Sequence, residues 1–463
     1  MAETVLDVVP NRPRPLTRSI GVAGGTLLTL SCLTPASSLF VVVPPLFAEL
    51  GTGTAVTIAL AALLCVAVAF CYSELGTLIP SSGGEYAMVS SVASRFAGWI
   101  MFVLSLVVVM IVPPIIAVGA ADYLHSILDL SGPVAGALVM LLAMAMGLLN
   151  LRANAWITGV FLLVEVIAAG VVAWLGFSNA QRPASVLLHP TVPDGGVDVI
   201  TIIAGLAVAL FVLQGFSSAV YLSEEMRDPR RTVVRTVLWT LGVGTLVVLV
   251  PVVAITLGAP DLETLAGGDI SGMVTAWSSS AVGVFVSLCI FAAILNACIV
   301  MVIQNSRVLY ASARDRVWPT PVNRVLGTVS RRFHAPWAAT LAVGLPGAAL
   351  CFVPIDTLSG VTGVTVAAMY LGMAVATLVG RRGAHAGRAA WRMPWWPVVP
   401  VLVGLALLYV LVEQSVLDLL ITAGTLLVAT LYWRFYLRPR LHERWIVTVP
   451  ADQGETRPGV GAE

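Results

Sequence analysis

The sequence predicts an all-α polytopic membrane protein with twelve transmembrane helices, and three observations lead to this fold class. Of the 463 residues, 58% are hydrophobic and 11% are charged, whereas about a quarter of the residues in a soluble domain are charged. The apolar residues form twelve segments, each of about 20 residues, the length that crosses a hydrocarbon core of ~30 Å. Arginines gather in alternate loops between these segments, as the two faces of a membrane require.

The twelve segments divide into two comparable groups and an addition. Their centres lie near residues 34, 62, 108, 141, 167, 211, 245, 294, 345, 368, 403 and 424. We expect segments one to five to form a repeat over residues 20–178 and segments six to ten to form a second repeat over residues 197–381. Segments eleven and twelve lie over residues 393–436, and residues 1–19 and 437–463 are expected to be tails.

The charges of the loops predict the orientation in the membrane. Loops on one side contain Arg95, Arg152, the arginines of 227–235, the run Arg314–Arg332 and the run Arg381–Arg392. Loops on the other side contain Arg182 alone. Because arginine-rich loops stay in the cytoplasm, both termini are predicted to be cytoplasmic, in a plasma or inner membrane. The first 18 residues are polar and proline-rich, unlike a cleavable signal peptide.

The composition excludes several classes of function. The net charge is +1, and the charges are divided between the two sides of the membrane, so no basic face for nucleic acid is expected. The six cysteines fall in apolar segments without metal-ligand spacing. The sequence contains no nucleotide-binding loop and no catalytic triad pattern. We therefore expect no metal, no cofactor and no enzymatic activity.

Two of the predicted helices are interrupted at the same depth. The first segment contains Thr34-Pro35-Ala36-Ser37-Ser38, and the sixth contains Gln214-Gly215-Phe216-Ser217-Ser218. A break exposes backbone N–H and C=O groups, which hydrocarbon does not solvate, so it survives only in a protein interior or a water-filled cavity. Paired breaks in two halves indicate a transporter with inverted repeats. A structural kink with a glycine for packing is the alternative for either segment alone.

Three stretches resemble the amino acid-polyamine-organocation superfamily of permeases. The first is Tyr72-Ser-Glu-Leu-Gly-Thr-Leu-Ile-Pro-Ser-Ser-Gly-Gly-Glu-Tyr86, the second includes Glu224, Glu225 and Pro229, and the third is Asn305-Ser-Arg-Val-Leu-Tyr-Ala-Ser-Ala-Arg-Asp315. The resemblance implies a five-plus-five inverted-repeat transporter fold, with helices 1 and 6 unwound in mid-membrane. It also implies alternating access and substrates with an amino group, usually amino acids.

The same resemblance implies where the substrate binds. The break of the first helix would hold a carboxylate on its N–H groups, which the dipole of a half-helix favours, and the carbonyls near the sixth-helix break would receive the ammonium. Ser38 replaces the usual glycine, and Ser217 stands where many relatives have glutamate. The predicted substrate-binding residues are Thr34, Ala36, Ser37, Ser38, Phe211, Gln214, Gly215, Phe216, Ser217, Asn296 and Met301. For Asn296 and Met301, ordinary packing is an equal alternative.

Glu165 is the intramembrane charge that bears on mechanism. It lies inside the fifth apolar segment, where an acid costs about 2.5–3.5 kcal/mol on insertion scales. Some relatives have a lysine there. Three interpretations follow: a proton carrier whose charged form is poorly solvated, a counter-ion for an amine substrate, or a structural acid bonded to the unwound first helix. Proton coupling is the predicted role.

Gating residues are also predicted. Phe211 corresponds to an aromatic gate in relatives, and Tyr370 corresponds to a tyrosine that closes the outer path. Acid and arginine pairs at the cytoplasmic face are further candidates: Glu224 and Glu225 with Arg227, and Glu74 and Glu85 with Arg95. An exposed pair of this kind contributes only ~0–1 kcal/mol, so each would bias the gate modestly.

The predicted function is secondary active transport of an amino acid across the plasma membrane, proton-coupled or by exchange. The alternative within the superfamily is import of a polyamine or another amine, such as putrescine or ethanolamine. Putrescine importers of the superfamily also have a proline in the first-helix break, as Thr34-Pro35 does here, and the acid Glu165 suits a dicationic ligand. A receptor or a channel-like protein is the alternative from another class. The expected partners are a small amino acid or amine, a proton and the lipid bilayer. Small residues such as Gly242 and Gly404 permit a monomer or a homodimer.

Overall fold

The computed structural model describes residues 20–446 except residues 82, 125–129, 149–153, 193–194, 197–198, 331–334 and 383–388. The tails predicted over 1–19 and beyond 446 lie outside this range. The first half contains helices α1 Val22–Leu33, α2 Pro35–Ser37, α3 Val43–Leu50, α4 Gly53–Leu78, α5 Gly84–Val92, α6 Arg95–Val118, α7 Ala120–Leu124, α8 Gly132–Leu148 and α9 Asn154–Ser178. A π-helix, Ser38–Val42, joins α2 to α3.

The second half is also helical. It contains α10 Val199–Val212, α11 Pro229–Gly258, α12 Leu262–Gly267, α13 Ile270–Trp277, α14 Ser280–Arg314, α15 Thr320–Leu326, α16 Trp337–Leu350, α17 Ile355–Gly380, α18 Val398–Val412 and α19 Val416–Tyr432. Short irregular helices are Ala184–Leu187, Phe216–Glu225, Trp433–Leu437 and Arg438–Arg440. Between α9 and α10, strands β1 (Thr191–Val192) and β2 (Gly195–Gly196) form an antiparallel pair.

Nine helical stretches in the described part of the chain are long and apolar enough to cross a membrane. They are Val22–Leu50, Gly53–Leu78, Arg95–Leu124, Gly159–Ser178, Val199–Ser223, Pro229–Gly258, Ser280–Arg314, Ile355–Gly380 and Val416–Arg440. The other three predicted segments fall on the shorter apolar helices α8, α16 and α18. These have 17, 14 and 15 residues, or about 21–26 Å. That these three helices also cross the membrane, which would give twelve spanning helices, therefore remains a prediction.

Side-chain caps define where several helices begin. The Ser94 hydroxyl accepts the N–H of the third residue of α6 at 3.1 Å, and Ser279 does the same for α14 at 3.4 Å. Asp269 caps α13 at 2.8 Å. These oxygens satisfy backbone donors that the first turn of a helix leaves unpaired. The helix starts thus follow from local sequence.

A pair of prolines in α6 determines one contact between helices. Pro113 lacks an N–H, so the carbonyl of Val109 one turn earlier loses its helical partner. The side-chain amide of Asn305, from α14, donates to that carbonyl at 2.6 Å. The Cys298 thiol lies 3.7 Å from the carbonyl of Pro113 itself. Helix α14 therefore supplies a donor for the carbonyl that Pro113 leaves without a helical partner.

The beginning of the described chain lies against the segment that follows α10. The N–H of Ile20 donates to the carbonyl of Glu225 at 3.0 Å. Four residues earlier, the Tyr221 hydroxyl donates to the carboxylate of Glu85 in α5. These contacts bring the start of the chain, the 3-10 helix Phe216–Glu225 and α5 together at one end of the helix bundle.

The end of the described chain reaches the same end of the bundle. Tyr86, the neighbour of Glu85, donates to Asp315 at 3.1 Å, and the N–H of Ile446 donates to the carbonyl of Asp315 at the same distance. We call this end of the molecule, which Ile20, Tyr86, Asp315 and Ile446 share, the tail end. The sequence predicts that the tail end is cytoplasmic.

Candidate functional site

The first membrane-spanning stretch is interrupted at a single residue. Helix α1 ends at Leu33, Thr34 has a left-handed backbone with φ of 47°, and a helix resumes at Pro35. Proline is well placed there, because the first residue of a helix has no intrahelical use for its N–H. The break thus lies at the first residue of the predicted interruption, Thr34–Ser38, and Ala36–Ser38, where the substrate carboxylate is predicted to bind, come just after it. Those residues belong to the first turns of the resumed helix.

Two buried polar atoms beside this break lack hydrogen-bond partners in the described part of the protein. One is the Ser37 hydroxyl and the other is Oε2 of Glu165. Glu165 lies on α9 and its side chain is 2% exposed. Because buried polar atoms are normally hydrogen-bonded, two such atoms beside a helix break indicate a place where a ligand or proton can bind.

The Glu165 carboxylate faces the backbone N–H of Ala36. Ala36 is the second residue of the resumed helix, so its N–H belongs to the group of donors that has no intrahelical acceptor. The N-terminus of a helix favours an anion. The structure thus shows the contact with the first helix that one of the three interpretations of Glu165, the structural acid, requires. The predicted proton-carrying role is compatible with it and remains a prediction.

The stretch Val199–Ser223, which corresponds to the sixth predicted segment, is interrupted as predicted. Helix α10 ends at Val212, the N–H of Gln214 turns back to the carbonyl of Phe211 at 2.9 Å, and Gly215 has φ of 125°. The chain then continues as the 3-10 helix Phe216–Glu225. A backbone with this φ favours glycine because a Cβ atom would be strained.

The two breaks touch each other. A Cβ atom on Gly215 would lie 2.5 Å from Cα of Leu33, the residue before Thr34. Such a distance to backbone leaves no room for any side chain at position 215. The absence of a side chain therefore allows the interrupted backbones of the first and sixth stretches to meet, with Phe211 buried on α10 just before the break.

Helix α14 contributes polar groups that the sequence interpretation missed. The Cys32 thiol donates to Oε1 of Gln304 at 3.2 Å, and the Ser218 hydroxyl is a second hydrogen-bonding neighbour of Cys32. Helix α1, the extension of α10 and helix α14 therefore meet two residues before the first break. Asn296 and Met301 are both buried in α14, and their contact with a substrate remains a prediction. The sequence signal that could have identified Gln304 is the presence of a glutamine inside an apolar segment.

A second buried carboxylate, Glu85, lies beside the 3-10 helix. Its side chain is 1% exposed, and it accepts hydrogen bonds from the hydroxyls of Tyr72, at 3.2 Å, and Tyr221. Ser217 is a third hydrogen-bonding neighbour. Burial raises the pKa of the Glu85 carboxyl, which lies between two spans. The partners of Glu85 are therefore these hydroxyl groups, and not Arg95 as the sequence suggested.

Ser217 thus has a specific role in this arrangement. It occupies the position where many relatives have glutamate, and it turns towards a glutamate from α5 instead. The sequence interpretation did not connect the two residues, because they lie on different elements. A carboxyl group is therefore present beside the sixth-helix break although position 217 lacks one.

Three aromatic rings pack together on the tail-end side of the sixth-helix break. The ring centroids of Tyr72 and Phe216 lie 6.0 Å apart, those of Tyr72 and Tyr370 6.1 Å, and those of Phe216 and Tyr370 5.8 Å. Tyr370 was expected to close the outer path. It contacts Phe216, the first residue of the 3-10 helix, on the side of the break where the chain ends gather, and its gating role remains a prediction.

An ion pair at the tail end joins distant helices. Glu74, near the end of α4, accepts from Nε and Nη2 of Arg381, with 2.7 Å for the Nη2 contact. It also accepts the N–H of Met393 at 2.9 Å, and the Arg381 guanidinium lies 5.1 Å from the ring centroid of Trp396. Glu74 therefore pairs with Arg381, the residue after α17, and not with Arg95.

The predicted pairs of Arg227 are tested only in part. The Glu224 side chain lies outside the described residues. The backbone of Glu225 binds Ile20, and the N–H of Arg227 donates to the carbonyl of Ile20 at 3.0 Å. These backbone bonds hold the tail end together, while a gating role for the three side chains remains a prediction.

Comparison with known proteins identifies the family of this chain. Residues 20–433 match the amino acid permease family. The chain belongs to the amino acid permease family. The match covers both interrupted helices, Glu165 and the Glu85 cluster, so the site described above lies within the family's common region. The resemblance inferred from the three sequence stretches is confirmed.

Relatives of this permease have different names. It is 24% identical to a methylthioribose transporter of Bacillus subtilis, over 85% of this chain and 87% of the relative. It is 24% identical to the branched-chain amino acid permease BcaP of Lactococcus lactis, over 76% and 80%. An uncharacterized transporter of Mycobacterium tuberculosis is 29% identical over 73% and 74%. The protein is thus a multi-pass membrane permease and not an enzyme.

Proposed function

We propose that this permease carries an amino acid across the plasma membrane by alternating access, with the substrate bound beside the point where the two helix breaks meet. The contact of Gly215 with the backbone of Leu33 is the observation that supports this most directly. Leu33 lies two residues before Pro35, where the next half-helix begins, so the contact brings that N-terminus close to the C-terminal end of α10. Opposite ends of helix dipoles attract opposite charges, and a zwitterion carries both.

In this proposal the ammonium group of the substrate lies at the end of α10. The last turn of a helix leaves carbonyls without intrahelical donors, and of these in α10 the carbonyl of Phe211 accepts the N–H of Gln214. The ammonium would bind to the others, because Gln214 and Gly215 carry the chain away from the helix axis. Phe211 precedes this point by one turn and is buried. It covers the bound substrate on the side away from the tail end.

Glu165 provides a reason for proton coupling. When ionised, it occupies the anion-favouring N-terminus at Ala36 and repels a substrate carboxylate. When it takes up a proton, the repulsion ends and the N–H of Ala36 becomes available to the substrate, with the Ser37 hydroxyl beside it. Proton and amino acid therefore bind together, and both are released together on the inner side.

The test of proton coupling is Glu165→Gln in proteoliposomes. We expect this variant to lose accumulation driven by an inward proton gradient, because the amide cannot exchange a proton, and to keep part of its substrate counterflow. Glu49→Gln is the matched control, since Glu49 is an exposed acid in the first membrane-spanning stretch. Accumulation by Glu165→Gln at low external pH would show that the proton is carried elsewhere.

A second candidate is transport of an amine without a carboxylate. The observation in its favour is that Glu165 already faces the donor at Ala36, so the anion position is filled by the protein itself. A cationic ligand would then pair with Glu165. Relatives named for methylthioribose and for branched-chain amino acids match at the same 24% identity, so sequence similarity does not identify the substrate.

Matched ligand pairs separate the two candidates. Each amino acid is compared with the amine that lacks its carboxylate, such as ornithine with putrescine and leucine with isoamylamine, in thermal unfolding of the purified protein. A ligand at 100 times its dissociation constant adds about 2.7 kcal/mol to stability. Stabilisation by the amino acids alone supports the first proposal, and stabilisation by the amines alone supports the second. Saturable counterflow of the same ligand would exclude a channel.

A further inference from the structure

A basic pocket lies at the tail end, apart from the helix breaks. It has a volume of about 400 Å³ and is formed by the end of α14, by α15 and by the segment before Trp445. Its lining includes one glutamate, Glu443, and four arginines. The arginines are Arg314, Arg316, Arg324 and Arg444. We call this site the arginine pocket.

The positive charge of the arginine pocket is only partly neutralised. Arg314 lies 3.5 Å from Asp315, and Glu443 lies 3.4 Å from His442. Neither Arg316 nor Arg324 has a carboxylate within 4.0 Å among the described residues. Like charges brought together without counter-ions repel one another, so the pocket is suited to an anion.

Arg444 is held in place for such an anion. Its Nη1 donates to the carbonyl of Trp318 at 2.9 Å and its Nη2 to the Thr320 hydroxyl at 2.6 Å. Its Nε is buried and has no partner in the described part of the chain. The next residue, Trp445, is 2% exposed and packs against Trp99 with ring centroids 5.5 Å apart. The backbone that carries Arg444 is thereby anchored.

Arg316 occupies an unfavourable backbone position. Its φ is 56°, and it follows α14 in a Schellman motif, with bonds from its own N–H to Ala313 and from Val317 to Ser312. Glycine is the usual residue there, because a side chain on a left-handed backbone is sterically disfavoured. An arginine kept in this position directs a guanidinium into the pocket lining at a cost to folding.

The arginine pocket lies where a lipid surface is expected. It adjoins the ends of two membrane-spanning stretches, because α14 ends at Arg314 and the Tyr432 hydroxyl at the end of α19 donates to Val317 at 2.9 Å. Val322 and Val325 are both exposed on α15, on either side of Arg324. Apolar side chains beside arginines at a membrane boundary suit the acyl and headgroup regions of a lipid.

We propose that the arginine pocket binds a phosphate group, carried by an anionic phospholipid headgroup or by a soluble phosphate compound. Arginine forks match phosphate oxygens in geometry and charge. Basic pockets at the ends of membrane helices are a known kind of lipid site. The site is distinct from the substrate site, and it holds whether the substrate is an amino acid or an amine.

The test uses the purified full-length protein in neutral detergent. Its unfolding midpoint is titrated with short-chain phosphatidylglycerol, with phosphatidylcholine and with inorganic phosphate at constant ionic strength. We expect phosphatidylglycerol to raise the midpoint, and Arg324→Ala to weaken its apparent affinity about fivefold. Arg438→Ala removes an exposed arginine outside the pocket lining and should titrate as the parent does. Equal titration of Arg324→Ala and the parent would overturn the proposal.

Arg316→Gly separates binding from folding. Glycine suits the left-handed backbone, so the variant without lipid should unfold at the same or a higher temperature than the parent, while its affinity for phosphatidylglycerol falls about fivefold. An unchanged affinity would argue against the site. A response to inorganic phosphate identifies a soluble ligand, and a response to phosphatidylglycerol alone identifies the lipid. Equal shifts with phosphatidylglycerol and phosphatidylcholine, without a response to phosphate, would overturn the proposal.

Discussion

The two interrupted helices are each accompanied by a buried carboxyl group from another part of the chain, and the two carboxyl groups are held differently. Glu165 faces one backbone N–H at the first break, and its Oε2 has no partner among the described residues. Glu85 faces three hydroxyl groups beside the sixth-helix break. The acid with many partners is built to stay in place, whereas the acid with few is able to change partners.

The two breaks also differ in how much they depend on side-chain contacts. The first is a single left-handed residue, Thr34, after which a proline restarts the helix. The sixth depends on Gly215 and continues as a 3-10 helix of 10 residues. A 3-10 helix has poorer hydrogen-bond geometry than an α-helix, so the sixth-helix extension relies more on side-chain contacts such as those of Glu85. This comparison yields four predictions, in order of decreasing effect.

The largest effect is expected from Gly215→Ala. The new Cβ would combine a disfavoured φ with a 2.5 Å approach to Leu33, which together cost about 3 kcal/mol or more. The purified yield and the unfolding midpoint should both fall. Gly242→Ala is the control, because a Cβ there meets nothing within 4 Å. Equal yields and equal unfolding midpoints for the two variants would show that the backbones at the two breaks are not in close contact.

Next in size is Tyr221→Phe. Removal of this hydroxyl takes a hydrogen bond from the buried Glu85 carboxyl, at a cost of about 1–3 kcal/mol. Tyr370→Phe is the matched control, since the Tyr370 hydroxyl is buried without a partner in the described part of the protein, and its loss should be close to neutral. Urea or thermal unfolding of the two variants measures the difference. A larger cost for Tyr370→Phe would contradict the proposed importance of the Glu85 cluster.

A smaller effect should depend on pH. Burial raises the pKa of Glu85 above its ordinary value of 4.5, so folding favours the neutral acid. The stability that this contributes is complete below pH 4.5 and is lost as pH rises through the higher pKa of the folded protein. The parent should therefore lose stability relative to Glu85→Gln over that rise. Parallel midpoint curves for the two proteins from pH 4 to 8 would refute this assignment.

The smallest effect is expected from Thr34→Gly. Glycine adopts the left-handed conformation of residue 34 without a steric cost, so folded stability should rise by less than about 1 kcal/mol. Pro35→Ala, which leaves residue 34 unchanged, is the comparison. A clear loss of stability in Thr34→Gly would mean that the threonine side chain, and not only the backbone turn, maintains the first break.

Local features of the sequence determined the class and the main landmarks of this permease. The lengths of the apolar segments predicted a polytopic membrane protein, and Gly215 marked the sixth-helix break at the correct residue. Pro35 marked the first break to within a residue. These features act within a few bonds of where they occur, because glycine and proline alter the backbone at their own positions.

The tertiary structure alone decided which side chains meet. Glu85 and Tyr221 are separated by 136 residues, and Glu74 and Arg381 by 307. The charges near Glu85 and Glu74 suggested Arg95 for both, and the structure gives the two acids other partners. Sequence spacing specifies the face of one helix, but the rotation and depth of two packed helices depend on the side chains of both. Contacts between distant helices therefore required the packed structure.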